Sequence, residues 1–150
     1  MQFINWVSGT RTRMLKKEIN VMIYGNENMM SFYNSILEQD RSAVVICNLE
    51  HKIIYMNPAA ILNYEKWGGD KLLGKSLLDC HNPQSREKIR QVIDWFAKEE
   101  NHNIVYTFYN EKQNKDVYMV ALRENGQLIG YYEKHEYRNA ETMNTYDLFA

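Results

Sequence analysis

The sequence predicts an α+β domain: a five-stranded antiparallel sheet with helices gathered on one face, preceded by a helical extension. Three observations carry that expectation. Short strand-like runs and helical runs follow one another as ββ, several helices, then βββ. Ile89, Val92, Ile93 and Phe96 recur at i, i+3, i+4 and i+7, the stripe of one long amphipathic helix. Asn125-Gly126 separates two strand-like runs as a two-residue hairpin turn, because both positions tolerate positive φ.

Residues 1–40 form the expected extension. Ser8 can cap a helix in which Leu15, Ile19, Met22 and Ile23 share a face, with Arg11, Arg13, Lys16 and Lys17 crowding its start. Asn26-Glu27-Asn28 breaks it, and Ser31 to Gln39 is a second helical piece with Phe32, Ile36 and Leu37 on one side. These helices are expected to pack on the domain or on a second copy. A basic amphipathic helix lying on a membrane is the alternative, and the short apolar face argues against it.

The domain itself is placed at 41–138. Ala43–Cys47 is a nearly all-apolar strand, Asn48–Lys52 a turn, and Ile53–Met56 the returning strand. Asn57 is a good N-cap, Pro58 suits the first helical position, and Ala59, Ala60, Ile61 and Leu62 favour helix, so Asn57–Trp67 reads as helical. Ser85 is the expected cap of the long helix. Strands are expected at 103–109, 116–123 and 127–137, with Gln113-Asn114-Lys115 turning between the first two. Residues 139–150 read as a polar tail.

Composition narrows the function classes. The 150 residues are one domain's worth, and 18 basic against 19 acidic residues give no field that would draw nucleic acid. Cys47 and Cys80 provide no disulfide framework. With no secretory leader and no run of 18 apolar residues, a cytoplasmic protein without a membrane span is expected. The 11 tyrosines and 8 methionines suit an adaptable core or interface.

One stretch admits two incompatible readings. Gly69-Asp70-Lys71-Leu72-Leu73-Gly74-Lys75-Ser76 satisfies G-x-x-x-x-G-K-[ST], the phosphate-binding P-loop. That loop must leave a buried strand and open a long helix whose N-terminus faces the anion. Here a helix precedes it, and Pro83 follows too soon for the long helix the motif requires. The alternative of a nucleotide-binding enzyme therefore rests on the pattern alone.

Residues from about 35 to 138 resemble a PAS domain. The likeness is carried by the Ala43–Cys47 strand, by Asn57-Pro58-Ala59-Ala60 ending the second strand, by the Leu72-Leu73-Gly74-Lys75-Ser76 connector, and by one long helix with three strands, the last bearing Gly130-Tyr131. Cys80-His81-Asn82-Pro83-Gln84-Ser85 further resembles the Cys-His-Pro-Pro-x-Ser segment of a bacterial PAS subfamily, some members of which carry a hemerythrin-like domain. Asn82 stands here for the first proline. The resemblance implies a sensor that holds haem, flavin, a small metabolite or nothing between the long helix and the sheet. Photochemical flavin would need an Asn-Cys-Arg-Phe-Leu-Gln motif, which this chain lacks. Haem would need an axial donor, and Cys80 and His81, at the threshold of the long helix, are the candidate cofactor-binding residues.

Other chemistry finds little support. Cys47, His51, Cys80, His81, His102 and His135 have no paired spacing of the zinc type. His51 and His102 are expected to face solvent, and His135 to make a surface salt contact with Glu133 or Glu136. No G-x-S-x-G elbow or nucleophile–base spacing points to catalysis. Among Tyr106, Phe108, Tyr118, Met119, Tyr131 and Tyr132, alternation should send one set inward to a core or cavity and the other to an exposed sheet face suited to self-association. The expected function is a non-catalytic sensory module that binds a small ligand and signals through a homodimer or an unidentified signalling partner. A ligand-free dimerisation scaffold is the rival.

Overall fold

The computed structural model describes residues 29–146. The expected helix after Ser8 lies outside the described residues. The chain divides into two compact units at Ile36/Leu37. Helix α1 spans Met29–Gln39, across that division. From Leu37 onward the order is β1 (Val44–Asn48), β2 (Ile53–Met56), α2 (Pro58–Asn63), three 3-10 turns, α3 (Pro83–Lys98), β3 (Ile104–Asn110), β4 (Lys115–Glu124) and β5 (Gln127–Tyr137). The five strands form one antiparallel sheet, as the sequence predicts, and their order across it is β2-β1-β5-β4-β3.

Asn57 fixes the first half of this unit. It is wholly buried, and its side-chain oxygen accepts from Ala60 N and from Val44 N, each at 2.9 Å. One atom thus caps α2 and anchors the start of β1. Its amide nitrogen donates to the carbonyls of Leu37 (3.2 Å), Asp40 (3.2 Å) and Ser42 (2.8 Å), the segment that leads out of α1 into β1. Pro58 needs no amide partner at the first turn. The helix is shorter than Asn57–Trp67: it stops at Asn63 with Tyr64 as C-cap, and Glu65–Trp67 forms a separate 3-10 turn.

The long helix begins three residues earlier than a cap at Ser85 would set it. Asn82, not Ser85, is the N-cap, accepting from Ser85 N at 2.8 Å with Pro83 following. An Asx side chain accepts the N3 amide readily, and proline belongs immediately after it. Ile89 and Phe96 of the predicted stripe are buried, with Val92 and Ile93 packed beside them. Burying an aromatic such as Phe96 is worth about 1.5–3 kcal/mol. Arg123 closes the other end of α3: its Nη2 donates to the carbonyls of Phe96 (2.6 Å), Glu99 (3.0 Å) and His102 (3.1 Å). A cation there satisfies orphan carbonyls and the negative end of the helix dipole.

Two glycines are required by geometry. Asn125 (φ 57°) and Gly126 (φ 85°) make the positive-φ turn joining β4 to β5. A Cβ on Gly130 would lie 2.4 Å from the Cys47 carbonyl oxygen, so the central strands approach this closely only because the residue has none. The core then fills between sheet and helices with Val45, Cys47, Ile53, Met56, Leu72, Leu77, Phe96, Met119 and Tyr131.

Asn57→Ala should cost roughly 3 kcal/mol in denaturant melts, more than the roughly 1 kcal/mol of a lost cap, because three carbonyls lose their donor too. Asn57→Asp keeps the cap but turns an anion towards those carbonyls. It should be as destabilising at neutral pH and should recover as the pH falls into the carboxylate range. An Asp variant matching wild type at pH 7 would show that the carbonyl contacts contribute nothing.

Candidate functional site

Strand alternation sends two sets of side chains to opposite faces of the sheet. On the helix-covered face β5 presents Tyr131, Glu133 and His135, and their partners across β4 are Ala121, Met119 and Val117. All three β5 residues are buried, Glu133 at 7% and His135 at 3% exposure. This corrects the expectation of a surface salt contact: inward register, not charge, decides where the pair lies. His51 is half-buried with its Nδ1 2.9 Å from the Tyr131 hydroxyl, and His102 stacks on Trp95 with ring centroids 3.8 Å apart. Neither histidine simply faces solvent as expected.

A cavity of about 680 Å³ lies between α3 and strands β3–β5. Buried Ile89, Met119 and Glu133 form its inner wall, with half-buried Val92 and Val105 beside them. Exposed Lys88, Gln91, Trp95 and Phe108 form the rim. A β-bulge between Tyr106 and Phe108 shifts the register of β3 where it borders the cavity. The volume falls within the range of small-molecule sites, which are mostly apolar with a few placed polar groups.

Glu133 is the main polar group of the inner wall. Its Oε2 accepts from the Tyr64 hydroxyl at 2.8 Å and lies 3.8 Å from His135 Nε2, beyond hydrogen-bond reach but close enough for electrostatic attraction. Burial pushes the Glu133 acid up, but His135, His81 and the Tyr64 hydroxyl outweigh it and hold the carboxyl below its ordinary value. Both ring nitrogens of His135 are buried without a hydrogen-bond partner. Lys115, also buried, donates from Nζ to Asn63 Oδ1 at 3.0 Å, and its burial lowers its pKa against an opposing pull from Glu133. The end of α2 therefore supplies a partner to two of the buried ionic groups: Asn63 to Lys115, and Tyr64 to Glu133.

Of the two candidate cofactor residues, His81 lies in the cavity wall and Cys80 does not. His81 donates from Nδ1 to the Leu77 carbonyl at 2.9 Å, which leaves Nε2 uncommitted. Cys80 packs against the core beside Tyr64, Leu72 and Leu77, and its thiol is raised chiefly by burial. Cys47 is pushed up to about 12, again mainly by burial. Neither cysteine is thus a ready thiolate donor. His81 Nε2 would be the atom to take a haem iron. A haem fits the rest of the lining poorly, because its apolar macrocycle offers no hydrogen to the buried Glu133 carboxylate. Among the described residues no group of three or more His, Cys, Asp or Glu is arranged to hold a metal ion.

The Gly69–Ser76 stretch is built as a connector. Gly69–Leu72 is a 3-10 turn, and the amides of Gly69, Lys71, Leu73, Gly74 and Lys75 donate to the carbonyls of Tyr64, Gly68, Asp70, Ile53 and Leu72. Amides committed to carbonyls cannot cradle a phosphate. The Gly74 amide bonds β2, and Leu77 N donates to His51 O, so the segment is stitched to the β1–β2 hairpin.

The opposite face of the sheet carries Ile46, Tyr55, Tyr118, Val120, Leu122 and Tyr132, all half-buried, with Ile104 and Tyr106 exposed. At one end of it Arg138 grips Asp116 bidentately, Nε to Oδ2 at 2.6 Å and Nη2 to Oδ1 at 2.7 Å, and Tyr106 OH adds a third bond at 2.9 Å. Arg138 chiefly, with Tyr106, holds the Asp116 carboxyl below its usual range. Of the six aromatic and methionine residues singled out in the sequence, Met119 and Tyr131 are core, Phe108 borders the cavity, and Tyr106, Tyr118 and Tyr132 take the outer face.

Comparison with known proteins matches residues 41–132 to the PAS domain model. The chain belongs to the PAS domain family. Solved structures share the PAS fold at low identity. A PAS domain from Colwellia psychrerythraea aligns at 18% identity over 73% of this chain and 96% of its own, with a TM-score of 0.55. A C-terminal domain from Streptococcus mutans aligns at 23% over 69% and 81%, also at 0.55. A sensory box sensor histidine kinase from Vibrio cholerae aligns at 14% over 79% and 96%, at 0.50. No curated protein matches. PAS domains are sensory modules, and no catalytic family is indicated. Among the described residues no helix is long and apolar enough to cross a membrane.

Two outcomes are expected from this geometry. Calorimetric titration with magnesium-ATP should give no saturable heat, and Lys75→Ala should melt identically with and without nucleotide; tight binding lost in that variant would restore the P-loop. Because the Asp116 pKa is lowered on folding, its pairing stabilises the protein above the ordinary aspartate value of about 3.9 and is lost as pH falls through the lowered value. The gap in melting temperature between wild type and Arg138→Ala should be full at neutral pH and narrow in acid. A gap that stays constant down to acid unfolding would mean that the pair is not the cause.

Proposed function

We propose that this PAS domain is a non-catalytic sensor that holds a small ligand between α3 and the sheet and signals through its outer sheet face, in a homodimer or against a signalling partner. The cavity with a buried carboxylate in its inner wall carries the proposal. A domain that served only as a scaffold would gain stability by filling that space and by placing an apolar residue at Glu133. The outer face suits the output role, since its half-buried tyrosines and aliphatic residues combine apolar area with polar tips. Occupancy shifts the packing at that face only to the extent that the ligand binds one packing better than the other.

Native mass spectrometry reports ligand and subunit count together. The expected result is a dimer carrying a small additional mass that is released on denaturation. Val92→Trp, which places an indole in the cavity, should lose that mass, keep the subunit count, and change stability by no more than about 1–3 kcal/mol. A bare wild-type mass, indistinguishable from the filled variant in every respect but the substitution, would favour the scaffold.

A further inference from the structure

The inner wall of the cavity specifies a ligand chemistry, and this inference rests on the sensory reading of that cavity. The Glu133 side chain is only 9% exposed. A carboxylate offers about four acceptor positions, and Glu133 uses one, at Oε2, for the Tyr64 hydroxyl. Among the described residues no group donates a hydrogen bond to Oε1. No lysine or arginine among them forms an ion pair with Glu133. Lys115 directs its ammonium to Asn63, Lys88 stands on the exposed rim, His81 gives its Nδ1 proton to Leu77, and His135 Nε2 stops at 3.8 Å. An ionised acid in a largely desolvated wall is costly unless donors reach both of its oxygens.

We propose that the cavity takes a small ligand with an apolar, preferably aromatic, body and a protonated amine or amidinium, whose N–H donates to Glu133 Oε1. Ile89, Val92 and Met119 receive the body. Trp95 and Phe108 at the rim supply aromatic surface beside the path of an entering cation. An anionic ligand would set like charges together in a desolvated site, and a neutral alcohol would supply a hydrogen bond without the charge.

The probes are 2-phenylethylamine, its neutral isostere 2-phenylethanol and the anionic phenylacetate, titrated calorimetrically into the intact protein at neutral pH. The amine is expected to bind at least about tenfold more tightly than the alcohol, with phenylacetate weakest. Glu133→Gln keeps an acceptor for Tyr64 and should erase the preference for the amine while still binding the alcohol. The selectivity ratio on the wild type needs no variant, so poor folding of Glu133→Gln leaves the test intact. Equal binding of amine and alcohol, or an amine preference that survives Glu133→Gln, overturns the inference and leaves the cavity's sensory role standing. No binding of the amine overturns it as well, and the retained mass in native mass spectrometry then decides separately whether the cavity is a ligand site.

Discussion

The side chain of Asn57 is the constraint on which the rest of this PAS domain depends. Five hydrogen bonds converge on one buried amide, and they join three pieces of chain: the exit from α1, the start of β1 and the start of α2. The residue also explains its neighbours. Pro58 can follow because its missing amide would be an orphan at that position, and Ala60 must be small because it is wholly buried against the sheet. With α2 fixed in this way, Asn63 and Tyr64 at its end arrive beside Lys115 and Glu133. The packing beside the cavity therefore depends on a capping residue that does not line it.

The buried ionic groups are where stability and function pull apart. Tyr131 could be followed at alternate positions by aliphatic residues, and the inward face of β5 would then be an ordinary core. Glu133 and His135 stand there instead, each incompletely satisfied, in the central strand of the sheet. Local rules of burial are broken at functional sites more often than elsewhere, and the breach here adjoins the cavity beside α3, which Glu133 lines. Lys115 is a milder case. Its ammonium finds Asn63 and lies over the Tyr137 ring, so its burial needs no ligand to account for it.

How much of this was legible in the sequence follows from what each signal encodes. Element order, the α3 stripe, the Asn125-Gly126 turn and the Asn57 cap are local patterns, and all five strands fall within a residue or so of their expected limits. The sequence misplaced the start of α3 because Ser85 and Asn82 are both competent caps; the proline at 83 was the deciding cue. Glu133 and His135 read as surface residues in the sequence because charged residues usually are exposed. Strict alternation from Tyr131 would have placed both inward. His81 was legible as a candidate from its position before the helix, and the structure puts it in the cavity wall. The Arg123 clamp was not legible, since a basic residue near a strand end carries no sign of which helix it will close.

Both ends of α3 are held by bonds to main chain. At the start, Asn82 caps the helix and Arg86 Nε donates to His81 O at 2.8 Å; at the end, Arg123 binds three carbonyls. The span between them, Ile89 to Trp95, covers the cavity without having to close over it. In the sensory role proposed above, such a preformed cavity would charge little ordering cost against binding. It also limits how a signal can leave. A helix pinned at both ends is a poor lever, whereas β5 carries Glu133 on the cavity side and Tyr132 and Lys134 on the outer face one residue away. Any adjustment of Glu133 toward a ligand is shared through the backbone with those two side chains. In the sensory role proposed here, β5 is accordingly the shortest physical connection between the site and the surface that would read it.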